Sequence, residues 1–177
     1  MKNIPLLAAI ACFALFAADS LAQQNPKLSD AEVAHAAVTA NQIDIDFAAI
    51  AKSKSSNIDI LRFAETMAND HNAVIAQAVA LAKKLGVTPV SNDVSKKLTA
   101  DAKETTKILR TTSKKDFDKV YIDNEVSYHK AVISAVEGLL IPETENSELK
   151  ELLQNVVPSL KVHLQHAEMV QKMFSGK

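Results

Sequence analysis

Three histidines and one aspartate stand where a helical reading of this chain expects apolar side chains. His71 follows Met67 and precedes Val74 and Ala78; His129 sits between Val126 and Ile133; His163 sits between Leu160 and Ala167. Spacings of three and four residues put each imidazole on the apolar stripe of a helix. Asp44 shares its helix face with Ala40, Phe47 and Ala51. A polar group in a core costs free energy unless it finds a partner. All four fall within about one turn of the middle of their own helices, and in an antiparallel bundle helix middles meet. One polar cluster inside the bundle is therefore expected. Imidazole nitrogens beside a carboxylate suit a divalent metal ion, with zinc, iron and copper as candidates. The competing expectation is a set of neutral histidines satisfied by Asp44, Asp70, Asp123, Tyr121 or buried water.

Other residues qualify this picture. Glu125, one turn before His129, is placed either to orient that ring through its second nitrogen or to face solvent. Asp70, Tyr121 and Asp123 are further candidates for that outer role. His166 is three residues after His163 but offset toward the edge of the stripe, and His35 reads as a surface or edge residue. Met67 and His71, one turn apart, would suit Cu(I), but a methionine on a stripe ordinarily fills the core. No serine elbow or phosphate-cradling glycine loop is present. No catalytic residue is assigned.

The elements that must position these side chains are long amphipathic helices. The first runs from Ser29, in capping-box spacing with Glu32, to about Ser53 on Val33, Ala36, Ala40, Ile43, Phe47 and Ile50. The second spans about Asn57 to Leu85 and stops at Gly86, with Pro89 beyond. A more polar segment, about Asn92 to Arg110, is expected to return across the surface. The fourth, about Lys114 to Leu140, carries Ile122, Val126, His129, Ile133, Val136 and Leu140 and ends at Pro142. The last, about Glu145 to Phe174, carries Leu149, Leu153, Val156, Leu160, His163, Ala167, Val170 and Phe174. The fold expected is all-α, a ferritin-like four-helix bundle with an additional shorter crossover helix. The crossover would make the second and fourth helices parallel.

Composition agrees with one helical domain. Of 177 residues 47% are apolar, and with only 3 Gly and no Trp turn-rich β architectures are poorly supported. Lys+Arg 20 against Asp+Glu 21 leaves a net charge of -1, which offers no basic field for nucleic acid. The chain opens with Lys2, an apolar run from Ile4 to Ala18, and small residues at Ser20 and Ala22, the pattern of a secretory signal. Residues 1–22 are expected to be removed, leaving a 23–28 extension and a bundle over 29–177. The apolar run is shorter than the roughly 20 residues of a membrane span, so none is expected in the mature chain. Cleavage takes away Cys12, the single cysteine. A lipid anchor on Cys12 is disfavoured because Ala9-Ile10-Ala11-Cys12 is a poor acylation box. An exported, periplasmic protein without thiolate chemistry is expected.

Three stretches carry a family resemblance: Phe63-Ala64-x-x-Met67-x-x-Asp70-His71, Phe117-Asp118-x-x-Tyr121 continuing to His129, and Val157-Pro158-x-Leu160-x-x-His163-Leu164. In order and spacing they resemble the bacterial ferritin-like "domain of unknown function 4142" family, over about Ala31 to Met173. The resemblance implies an exported helical bundle and carries over onto Asp70, His71, Tyr121, His129, Pro158 and His163. The family pattern usually has Glu where this chain has Asp44, and often Asp where it has Tyr128. It supplies no activity. A di-iron bundle takes Glu-x-x-His from each of two helices, whereas Ala68 and Leu160 precede His71 and His163 by three. A mononuclear site or an empty polar core is what the residues leave. Three functions follow as expectations: a non-catalytic exported module that binds a divalent metal or serves envelope stress response; a structural or interaction module whose histidines only tie helices together; and a mononuclear metal oxidoreductase, which would need an access channel.

Overall fold

The computed structural model describes residues 27–174. The expected signal segment 1–22, Cys12 within it, and residues 23–26 of the extension lie outside the described residues. Six helices and no strand occur among those described: α1 (Asp30–Lys54), α2 (Ile58–Leu85), α3 (Asp93–Thr111), α4 (Lys114–Ala135), α5 (Ile141–Glu143) and α6 (Ser147–Lys172). A π-helical turn, Val136–Leu140, joins α4 to α5.

Local sequence sets the boundaries. Ser29 and Glu32 close a capping box at the start of α1. Asn57, Asn92, Ser113 and Asn146 cap α2, α3, α4 and α6 by accepting hydrogen bonds from first-turn amides. Gly86 ends α2 in the left-handed region at φ 65°, which a glycine reaches without the Cβ clash of other residues. The π turn departs from the uninterrupted helix expected to Leu140. Pro142 has no N–H to give the carbonyl of Gly138, and the amide of Ile141 instead reaches back to Val136 O. By contrast, α6 continues as helix through Pro158.

Contacts between helix ends fix the topology. The start of α3 meets the start of α1, where Asn92 Nδ2 donates to Glu32 O (2.8 Å) and Val90 N to Ala31 O (3.0 Å). At the far end Lys54 Nζ donates to the carbonyls of Leu109, Arg110 and Thr112. Thus α1 and α3 run parallel. Lys52 pairs with Glu65 across the α1–α2 turn, and Lys84 near the end of α2 pairs with Glu148 at the start of α6. Asp30 accepts from the amides of Glu145 and Asn146, while Lys130 pairs with Glu168 along the antiparallel α4 and α6. With α3 returning the chain along α1, α2 and α4 run parallel. This is the crossover bundle that the sequence implies.

The core lies in two apolar halves. One gathers Ile43, Phe47, Phe63, Met67, Phe117, Tyr121 and Ile122, with Ala167 and Val170; the other gathers Val33, Ala36, Ile133, Leu140, Leu149, Leu153 and Leu160. Along α4, the first half ends at Val126 and the second begins at Ile133; along α6, the second ends at Leu160 and the first begins at Ala167. His129 and His163 stand in those gaps. The second half lacks one wall. The buried residues of α2 are Ile60, Phe63, Ala64, Met67 and His71, and none follows His71. Val74, Ala78 and Leu81, a helical stripe that would ordinarily be core, are only half-buried. Val157 rather than the expected Val156 is buried on α6; both fit the helical period, and Val156 lines the cleft left beside α2.

Candidate metal centre

Each helix of the four-helix core contributes to one layer. Asp44 comes from α1, His71 from α2, His129 from α4 and His163 from α6; all four are buried, and Asp44 has 0% exposure. His71, His129 and His163 each bring a ligand nitrogen within 4.8 Å of the other two. Their ring centroids are 5.3–5.9 Å apart. Asp44, Glu125 and His129 form a second set at the same spacing, sharing His129. Ligating nitrogens about zinc stand roughly 3–3.5 Å apart, so modest rotations would close the rings on an ion.

The outer nitrogen of each ring is held by an acceptor. His71 Nδ1 lies 2.7 Å from Asn41 Oδ1. The amide of Asn41 is oriented because its Nδ2 donates to Ala37 O at 2.8 Å. His129 Nδ1 donates to the carbonyl of Glu125, one turn back, at 3.0 Å. His163 Nε2 donates to Asp70 Oδ2 at 2.9 Å. A carbonyl or carboxylate oxygen has no proton to give, so these partners place the N–H on the outer nitrogen. The inner lone pair is left free in each neutral ring.

The inner atoms have no hydrogen-bond partner: His71 Nε2, His129 Nε2, His163 Nδ1, and both oxygens of Asp44 and of Glu125. Asp44 Oδ2 is 3.2 Å from His71 Nε2 and 3.5 Å from His129 Nε2, without the alignment of a hydrogen bond. The three inner nitrogens and the Asp44 oxygens are buried acceptors facing one another, an arrangement unfavourable alone, beside a Glu125 carboxyl that burial favours in its protonated form. A cation is what they suit. Three imidazoles and a carboxylate form a nitrogen and oxygen set that fits a divalent transition metal.

Electrostatics favour the ligating forms of two rings. Burial pushes His129 below the ordinary imidazole value, against the opposing pull of Asp44. Burial does the same to His163, opposed by its bond to Asp70. Both stay neutral, as coordination requires. Burial and then the Asp44 charge push the Glu125 carboxyl well above the usual carboxylate range. Burial also raises the Tyr121 and Tyr128 hydroxyls.

The outer residues do not all stand where the sequence puts them. Glu125 is fully buried, so its solvent-facing alternative does not hold; its carboxylate lies 3.7 Å from His129 Nδ1. Asp70 reaches His163 from a half-exposed position. Tyr121 is buried and stacks on Phe117 at 6.0 Å, and its hydroxyl bonds no histidine. Asp123 is turned away, binding Lys119 and Gln171, because six residues before His129 lies off the inward face of α4. His35 and His166 are half-buried at the edges, with His166 5.2 Å from the Phe63 ring. Asn41, missed from sequence, is one turn before Asp44, a spacing that could have flagged it. Tyr128 donates its hydroxyl to Ala40 O at 2.8 Å.

A cleft of about 580 Å³ opens beside the layer, and Asp44, His71, His129 and His163 are among its lining residues. No helix among the described residues is long and apolar enough to cross a membrane.

A family model described as "Domain of unknown function (DUF4142)" matches residues 16–170. No curated protein matches the chain by sequence. Among solved structures, the chain is similar in fold to "CopM in the Cu(II)-bound form", with a TM-score of 0.62 and 17% identity, over 82% of this chain and 98% of that one. At that identity the likeness concerns the fold alone.

Proposed function

The chain belongs to the DUF4142 family, and from that premise we propose that it is an exported helical bundle that holds one divalent transition-metal ion in its middle layer. His71 Nε2, His129 Nε2, His163 Nδ1 and Asp44 are the ligands. Asn41, the Glu125 carbonyl and Asp70 hold the rings in the ligating tautomer. One observation carries the reading: all three histidines give their outer nitrogen to an acceptor and keep the inner one free. The likeness to a Cu(II)-bound structure adds copper to the ions worth testing first, beside zinc, iron and manganese. The opening sequence, with its charged, apolar and small-residue regions, supports export.

A purely structural reading has its own support, because His71–Asn41 joins α2 to α1 and His163–Asp70 joins α6 to α2. The two readings separate in one experiment. Tag-free protein is dialysed against each metal chloride near neutral pH and the bound metal is counted. One ion per chain, lost in His129→Leu, is the expected result. No bound zinc, copper, iron or manganese, with His129→Leu changing thermal stability alone, would leave only the structural module.

A further inference from the structure

The last helix carries an outer stripe that the mid-bundle layer does not use. Val162, His166, Met169 and Met173 follow one another at spacings of four, three and four residues, so they share one face of α6. The buried face of that helix is a different one, formed by Leu160, His163, Ala167 and Val170. Val162 is 61% exposed, Met169 57% and Met173 53%, while His166 is half-buried. Met173 lies just past the last helical residue but keeps right-handed helical dihedrals, φ −66° and ψ −19°, so the stripe is unbroken. Methionine is among the residue types most often buried, and Met67, the other methionine of the described residues, is fully buried. An isolated exposed apolar side chain needs no explanation. Two methionines one turn apart, with an imidazole one turn ahead of them, form a donor set.

The spacing suits one ion. Neighbours three or four residues apart on a helix stand about 5–6 Å apart at Cβ. Met169 is the middle of the set, with His166 one turn before it and Met173 one turn after. An ion over Met169 is within reach of both, because the three rotatable bonds of methionine let its sulfur swing across a turn. The His166 ring is steadied edge-to-face by Phe63, at 5.2 Å between centroids. Among the described residues no group hydrogen-bonds its nitrogens. Glu168, the acid inside this span of α6, pairs with Lys130 on the α4 side.

The donors are thus one imidazole nitrogen and two uncharged thioethers. Thioether sulfur is a soft donor and suits Cu(I). Zinc is held by thiolate, imidazole and carboxylate, of which this set offers a single imidazole. We infer that His166, Met169 and Met173 form a surface site for Cu(I), separate from the mid-bundle layer and independent of the reading above. Binding is coordination alone: the copper stays Cu(I), and no covalent bond of the protein is made or broken.

The test is anaerobic titration of protein labelled with carbon-13 at its methionine methyls, with free Cu(I) buffered by excess bicinchoninate. NMR follows Met67, Met169, Met173 and the His166 ring. Because the free ion is buffered, copper taken up at Cys12 or in the mid-bundle layer does not alter the midpoint of this site. The Met169 and Met173 methyls and the His166 ring are expected to shift together with one midpoint. Zinc at the same free concentration leaves both methyls in place. Met173→Leu conserves volume at an exposed position and keeps the fold. It raises the free Cu(I) needed to shift Met169 at least ten-fold. Methyls that stay in place, that respond equally to zinc, or whose midpoint is unchanged in Met173→Leu overturn the inference and leave only an exposed apolar stripe.

Discussion

Asp44 Oδ2 sits 3.2 Å from His71 Nε2, and neither has a hydrogen-bond partner. Because Asn41 Oδ1 accepts from the other nitrogen at 2.7 Å, the ring atom facing the buried carboxylate is the one without that N–H. A proton or a metal ion between them resolves that contact. Asp44→Asn keeps the shape and supplies an N–H where an oxygen stood. The metal-free variant is expected to melt at or above the wild-type temperature, since a buried charge without full compensation is removed. Its metal affinity is expected to fall by more than about 100-fold, beyond the usual effect of an outer partner. Calorimetry on both forms measures the two quantities.

The outer partners differ in burial, and their effects should differ accordingly. Asn41 is itself fixed by Ala37 O, whereas Asp70 is half-exposed and screened by solvent. Asn41→Ala is expected to weaken metal binding about 10–100-fold without changing the ligand set. Asp70→Asn should cost less, and added salt should reduce the difference from wild type. Competition titration against a chelator at low and high salt compares them. An Asp70 effect as large as that of Asn41 would contradict this ranking.

Glu125 gives a pH dependence whose sign can be worked out. Its folded-state carboxyl is raised above the ordinary value of 4.5, mainly by burial, so the folded protein holds a proton that the unfolded chain releases. Its contribution to stability is therefore complete below the unfolded value and is lost as pH rises through it toward the raised folded value. Glu125→Gln removes that loss. In the metal-free protein the variant should melt higher than wild type at pH 7.5, with the difference vanishing near pH 4. Melting curves across that range test the sign. His129 and His163, lowered mainly by burial, act oppositely: their contribution is complete above the ordinary value of 6.5 and is lost as pH falls below it.

Phe63 reports on the packing that holds the layer. It is fully buried, with ring centroids 6.5 Å from His129 and 6.2 Å from Tyr121. Phe63→Ala is expected to cost about 3–5 kcal/mol by loss of contacts and creation of a cavity. Denaturant unfolding of the metal-free protein measures the cost. A loss under about 1 kcal/mol would mean that the aromatic half of the core is not packed as described.

The bundle and its polar layer were legible because both depend on the helical period. His129 between Val126 and Ile133 can face only inward once those two residues are buried, and Gly86 and Asn92 mark helix ends by local chemistry alone. The π turn was not legible, because Pro142 announces a stop but not the register in which the helix ends. Nor was the cleft. Val74, Ala78 and Leu81 repeat as a core stripe should, and only the tertiary placement of α2 leaves them half-buried. Asn41 was overlooked because an asparagine within a helix ordinarily faces solvent. Asp123 lies close to His129 in sequence, but its angular position on α4 points it at Lys119 and Gln171.

The claim that the inner lone pairs of three histidines converge on one ion is tested most directly by X-ray absorption at the edge of a metal loaded into tag-free protein. For zinc, nitrogen and oxygen scatterers at about 2.0–2.1 Å, with the outer-shell pattern of three imidazoles, are expected. No sulfur at about 2.3 Å should appear, since Cys12 is the single cysteine and residues 27–174 contain none. Fewer than two imidazoles in the spectrum, or a spectrum unchanged in His71→Leu and His129→Leu, would place the ion elsewhere and contradict the mid-bundle site.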